Sequence, residues 1–173
     1  MNASTSTKSN PRPVLDLPRS SFEITLDIFG ALGVLTMIFF IVWYWSSLPE
    51  VIPTHFGSSG APDGWGAKST LLVLPAISLV IYIGLTILSR YPHVYNYLWL
   101  ITPQNAKMQY QTARQMIILL KTEIVWLFAY IVLQTIQTAL GKAKGLGTEF
   151  LPIFLVLIFG TIGFHLFKAY QAR

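Results

Sequence analysis

Four stretches of this sequence run so long without a charge that they dictate the class of fold: residues 28–47, 69–89, 124–140 and 150–167. A helix rising 1.5 Å per residue over the first of them is about 30 Å long, the thickness of a bilayer's hydrocarbon core. A backbone in hydrocarbon must satisfy its own hydrogen bonds, so such stretches are helices. The expectation is an all-α membrane protein with four transmembrane helices, a compact ordered outer loop and a long third helix extending into the cytoplasm. The spans are placed at about 26–47, 69–89, 120–140 and 150–168 within a membrane domain 22–173, preceded by a flexible polar cytoplasmic tail, 1–21. The first run is too long for a signal-peptide core, and no small-x-small site follows it, so it is expected to stay in the mature chain.

Composition agrees. Of 173 residues, 53% are hydrophobic and 11% charged, against about 25% charged in soluble domains. The absence of cysteine excludes disulfides, thiolate metal sites and cysteine nucleophiles. A net charge of +5 would suit nucleic acid in a soluble protein, but here Lys and Arg stand one to three at a time between apolar runs. That distribution serves topology, and no nucleic-acid partner is expected. With the N-terminus inside, nine basic residues fall on the cytoplasmic side and three, Lys68, Lys142 and Lys144, outside. The bias places both termini in the cytoplasm of a prokaryotic inner (plasma) membrane protein. Trp43, Tyr44 and Trp45 close the first span, and Tyr91, Tyr95, Tyr97 and Trp99 lie where the second leaves the bilayer, positions that suit rings at the headgroup level.

Proline and glycine punctuate the helices. Pro75 is expected to kink the second span through a lost backbone bond. Thr102-Pro103 reads as a helix start, and nothing interrupts the chain from there until Gly141. Residues 141–147 form a Gly/Lys turn, and Pro152 sits in the tolerated first turn of the fourth span.

The loop 48–68, LPEVIPTHFGSSGAPDGWGAK, is not a passive connector. Residues 51–56 suit a short extended strand, and Pro62-Asp63-Gly64 is a turn signal in which Pro fixes φ, Asp caps and Gly takes positive φ. Pro49, Pro53 and Pro62 limit the unfolded alternatives, Gly60, Gly64 and Gly66 supply backbone freedom, and Trp65 anchors the loop at the membrane edge. Pro49, Pro53, His55, Gly60, Pro62, Asp63, Gly64 and Trp65 are therefore the candidate recognition residues. His55 with Glu50 and Asp63 offers metal-type ligands but no recognisable spacing. No metal or other cofactor is assigned, and the structural expectation has Asp63 in a turn bond, His55 on a backbone carbonyl and Glu50 in water.

The pattern LP..IPTHFG.SGAPDGWG.K, followed after the second span by YPHVYNYLW.ITPQNA and Gln109-Tyr110, resembles a small membrane domain of unknown function. That domain is found at the N-terminus of SdpI-type bacterial immunity proteins and in many stand-alone prokaryotic membrane proteins. The resemblance covers about residues 30–115. SdpI proteins carry a further C-terminal membrane region, whereas this sequence ends after its fourth span. The resemblance therefore implies the fold, and immunity to a secreted toxin only remotely.

Lys121 and Glu123 precede the third apolar run, where a Lys is expected to snorkel and a Glu to lie beside the headgroups. Gln134 and Gln137, three apart, are candidates for interhelical hydrogen bonds. His93 and His165 are expected to be structural. No nucleophile elbow, zinc-protease helix, phosphate loop or intramembrane Asp pair occurs, so no enzyme activity is expected. The leading expectation is a small non-enzymatic membrane protein acting in recognition, immunity or signalling through its outer loop. Its partners would be membrane lipids and another membrane protein or an extracytoplasmic peptide. The alternatives are an accessory subunit of a larger membrane complex and a transporter component.

Overall fold

The computed structural model describes residues 12–173. Its order is α1 (Ser21–Tyr44), β1 (Val51–Phe56), β2 (Pro62–Ala67), α2 (Val73–Leu88), α3 (Ala106–Ala139) and α4 (Phe150–Gln171). Among the described residues four helices are long and apolar enough to cross a membrane, which makes the chain a multi-pass membrane protein. Leu35, Val42, Val80, Val156 and Phe159 stand more than half exposed on their outward faces, the inverse of a water-soluble surface and the expected condition of a face in lipid.

Local chemistry sets the helix ends. Ser20 caps α1 and Glu23 reaches back to the Ser20 N–H, a capping box that satisfies two free donors reciprocally. The second span enters through a 3-10 turn, Lys68–Leu72. Pro75 is thus the third residue of α2, inside the first turn, where its missing N–H removes no helical bond. At this entry end, where Pro75 leads one to expect a kink, the chain makes the 3-10 turn. The third helix starts at Ala106, three residues after Pro103, because Thr102 and Asn105 first close a reciprocal turn: each backbone N–H bonds the other's side-chain oxygen.

Contacts fix the helix directions. Glu23, Asp27 and Gly33 meet Arg114, Lys121 and Val125 in rising order, so α1 and α3 run parallel. Asp27 and Met37 meet Tyr82 and Ser78 in falling order, so α2 is antiparallel to α1, and Gln109 and Glu123 meet Ala169 and Thr161 in falling order, so α4 is antiparallel to α3. α3 is the central member, packing on α1, α2 and α4, while α4 rests chiefly on α3. The core runs through Val34, Met37, Ile41, Val125, Val132 and Ile136, and the hairpin contributes Ile52 at the end where β1 packs on α3.

The α1–α3 approach depends on Gly33. A Cβ there would lie 2.8 Å from Val125 Cγ1 and 3.3 Å from the Trp126 ring, so the helices must separate or repack. Gly33→Ala is expected to destabilise by about 1–3 kcal/mol as an overpacking change. Gly160, whose Cβ would meet nothing within 4 Å, is the control: Gly160→Ala should leave the thermal midpoint in detergent unchanged or raise it. Equal midpoints for the two variants would refute the close approach.

The second half of the polar tail is held in place. Residues 12–20 have no regular secondary structure, with Arg12 donating to the Tyr95 carbonyl and Arg114 holding the carbonyls of Leu17 and Pro18 at 2.8 and 3.0 Å. Within the tail expected to be flexible, 1–21, this part thus makes contacts with the bundle, and the first eleven residues lie outside the described ones. Between α2 and α3, Tyr95 donates to Leu88 and Tyr97 to Pro92. Burial pushes the Tyr95 phenol up to about 12 and raises that of Tyr97 too, so both remain neutral donors.

Candidate functional site

The loop singled out in the sequence folds as an antiparallel hairpin with Val51 opposite Ala67, Pro53 opposite Trp65 and Phe56 opposite Pro62. Strand 51–56 forms as expected, but Pro62-Asp63-Gly64 is the start of β2 and not a turn. The chain reverses instead at 57–60, where Gly60 takes φ 78° and its N–H bonds the Gly57 carbonyl. Gly64 and Gly66 serve close approach, because a Cβ on either would come within 3.0 Å of His55 or Thr54 across the ladder.

The hairpin is fastened from two sides. Ile52 and Pro53 are fully buried, whereas the Gly60 carbonyl accepts from the Leu146 N–H at 2.8 Å and Tyr130 donates to the Leu146 carbonyl at 2.8 Å. Gly60 and Gly147 touch backbone to backbone, leaving no room for a Cβ at Gly60. Lys68 returns to Glu50 at 2.8 Å and stands over the Trp45 ring, so Glu50 is paired and not simply in water. Pro49 is exposed at the approach to β1.

Asp63, Trp65 and Ala67 alternate outward along β2, with Trp65 57% exposed. His55 bonds Asp63 through Nδ1, and both are exposed. This corrects the expectation that His55 would take a backbone carbonyl and Asp63 a turn bond. No group of three His, Cys, Asp or Glu side chains able to hold a metal ion occurs among the described residues. What the hairpin presents is a rigid ledge with an aromatic ring and an oriented imidazole–carboxylate pair.

Gln134 and Gln137 do not join helices. Gln134 donates to Tyr130 on its own helix, one turn away, and Gln137 accepts the Lys142 and Ala143 N–H groups through its main-chain carbonyl. Side chains four apart on a helix are neighbours, which brings the Tyr130 hydroxyl within reach of Gln134. His165 bonds the Thr161 carbonyl.

At the opposite end lies a cluster that the sequence reading missed. Glu23, 1% exposed, accepts with both carboxylate oxygens from one edge of the Arg114 guanidinium, at 2.7 Å from Nε and 3.1 Å from Nη2. One turn along α1, Asp27 pairs with Lys121 and Arg19. Lys121 is fully buried, donates to Thr86 at 2.8 Å and lies over the Tyr82 ring. It does not snorkel, because Asp27 is nearer than water. Glu23 and Asp27 are four apart on α1 and Arg114 and Lys121 seven apart on α3, so each pair shares a helix face. Complementary charges at these spacings, at the edges of two apolar runs, were the available signal.

Comparison with known proteins gives a family model described as a domain of unknown function (DUF1648), matching residues 32–79. The match runs from the middle of α1 through the hairpin into α2 and leaves out all four residues of the buried pairs. A protein of Archaeoglobus fulgidus described as uncharacterized is 30% identical over 95 residues, covering 50% of this chain and 49% of the relative. The chain thus spans about half the length of that curated relative. No solved structure matches significantly. The similarity is to a domain of unknown function and an uncharacterized protein, and it carries no specific link to SdpI-type proteins.

Proposed function

We propose that this chain is a non-enzymatic protein of a prokaryotic inner (plasma) membrane that recognises an extracytoplasmic peptide or another membrane protein through the hairpin. The role would belong to immunity or signalling. One observation supports it above others: the hairpin is braced at both edges, yet turns Trp65, His55 and Asp63 outward, away from the bundle. A connector needs no such bracing. A preformed ledge loses little entropy on binding, and an exposed tryptophan is a typical anchor.

In this reading both termini are cytoplasmic and the hairpin faces outward, following the nine-to-three distribution of basic residues. The 34 residues of α3 are about 51 Å long, roughly 20 Å more than the hydrocarbon core, and this excess extends into the cytoplasm. A cysteine at Ser58, exposed in the hairpin turn, should react with an impermeant maleimide in intact cells. Labelling only after the membrane is opened would reverse the orientation.

The recognition reading is tested by photocrosslinking in cells from position 65 and, for comparison, from Val156 on the lipid face of α4. A discrete adduct from position 65, lost with Gly64→Val and unaffected by a chelator, is expected. Adducts from position 156 alone would favour lateral packing into a complex. Loss on chelation and with His55→Ala would make the hairpin a metal site.

A further inference from the structure

Because α4 rests on α3 without closing on α1, a groove of about 690 Å³ runs between them. Leu26 and Phe29 of α1, Trp126 of α3, and Phe150, Phe154 and Leu157 of α4 form its apolar walls. Among the described residues the lining holds two carboxyls, Glu149 at the hairpin-end lip and Glu123 deep inside, and no Lys or Arg; Lys142 and Lys144 of the adjacent loop are not part of it. Glu123 accepts a bond from Thr161 at 2.6 Å through Oε1. Thr161 is the twelfth residue of α4, so this carboxyl lies about 16 Å along the helix from the lip. It is therefore not beside the headgroups, as its place in the sequence suggests. The other oxygen, Oε2, is buried and has no hydrogen-bond partner among the described residues.

An acid with one oxygen unsatisfied at the bottom of an apolar groove is costly unless something occupies the groove and bonds it. The occupant must be apolar along most of its length, to match the walls. It must also carry a donor at one end, and a cationic one gains most where the dielectric is low. A neutral acyl chain would leave Oε2 unpartnered. A phospholipid would bring a phosphate into a groove that offers two carboxyls and no cation. We propose that this groove binds a hydrophobic amine, one alkyl or aryl chain lying along Trp126 and Phe154 with its ammonium on Glu123. Glu149 at the lip favours the approach of such a cation. The volume lies within the range of small-molecule sites, about 300–1,000 Å³. This inference is independent of the hairpin reading, since no hairpin residue lines the groove.

The test uses the full chain in lipid nanodiscs, with bromine-labelled dodecylamine as a quencher of Trp126 fluorescence and equally labelled dodecanol as its neutral counterpart. Saturable quenching by the amine is expected, absent in Trp126→Phe. Affinity should fall ~10-fold or more for the alcohol and for Glu123→Gln. Glu123→Gln keeps the side-chain length and the Thr161 partner, and an unchanged melting temperature confirms its fold. Leu157→Trp, which fills the groove, should abolish quenching while Glu123 is intact. Equal binding of amine and alcohol would overturn the proposal, since the groove would then hold only an apolar chain. So would full affinity in Glu123→Gln. Failure of the amine to bind while cysteines at Leu127 and Phe154 crosslink between copies would instead make the groove a contact between two chains.

Discussion

Glu23→Ala is expected to destabilise the fold in detergent by about 3–5 kcal/mol, the cost of leaving a buried guanidinium without its anion. Arg114 is 5% exposed, with Nε and Nη2 on Glu23 and Nη1 and Nη2 on the Leu17 and Pro18 carbonyls. Removing the carboxylate leaves only those two neutral acceptors for the cation, and it removes the N3 partner of the capping box as well. Arg114→Lys should be nearly as harmful, because one ammonium cannot hold both carboxylate oxygens and two carbonyls in a planar fork. Glu23→Leu combined with Arg114→Leu should recover part of the loss but not all, since the tail carbonyls stay without donors. Protease sensitivity should then appear first at residues 12–20. Thermal and denaturant unfolding of the three variants checks this; a Glu23→Ala loss below about 0.5 kcal/mol would mean that the pair is solvated and contributes nothing.

The parts legible in the sequence are those governed by local chemistry. Charge-free run length determines the four helices, because hydrocarbon leaves the backbone no alternative. The strand at 51–56 and the helix start near Thr102 follow from side chains within a few residues of one another. Pro62-Asp63-Gly64 misled for the same reason: its turn propensity is real, but burial of Ile52 and Pro53 fixes a register that draws Pro62 into the ladder opposite Phe56. Gly60 and Gly147 show the limit from the other side. Their backbone contact joins residues 87 positions apart in the sequence, and no local pattern announces it.

The ionic cluster was hidden by a convention of reading. Scanning for charge-free runs leaves Glu23, Asp27, Arg114 and Lys121 outside every run, so nothing within any one run marks them as buried partners. Their partners are 91 and 94 residues away. Each charge at the edge of an apolar run would have had to be matched against those on the neighbouring runs. Glu123 escaped for a related reason: its depth is set by the middle of α4, not by its own place in the third run.

The second large effect is an asymmetry around Asp27. Its carboxylate serves two cations, Lys121, which is fully buried, and Arg19, whose side chain is 36% exposed. Asp27→Leu therefore strands Lys121 with only the Thr86 hydroxyl and the face of Tyr82. A loss of about 3–5 kcal/mol is expected, as for any buried pair cut on one side. Lys121→Leu removes the buried cation and leaves Asp27 on Arg19, so its loss should be less than half as large. Asp27→Leu combined with Lys121→Leu should be more stable than Asp27→Leu alone, because two apolar groups of similar volume replace a pair whose desolvation offsets most of its attraction. Urea or thermal unfolding in one detergent, for the two single variants and the double, supplies the cycle. If Lys121→Leu costs as much as Asp27→Leu, Arg19 does not compensate and the carboxylate depends on Lys121 alone. If the losses simply add in the double variant, the two side chains do not interact, and the parallel register of α1 on α3 must rest on packing at Gly33 and the Glu23–Arg114 pair.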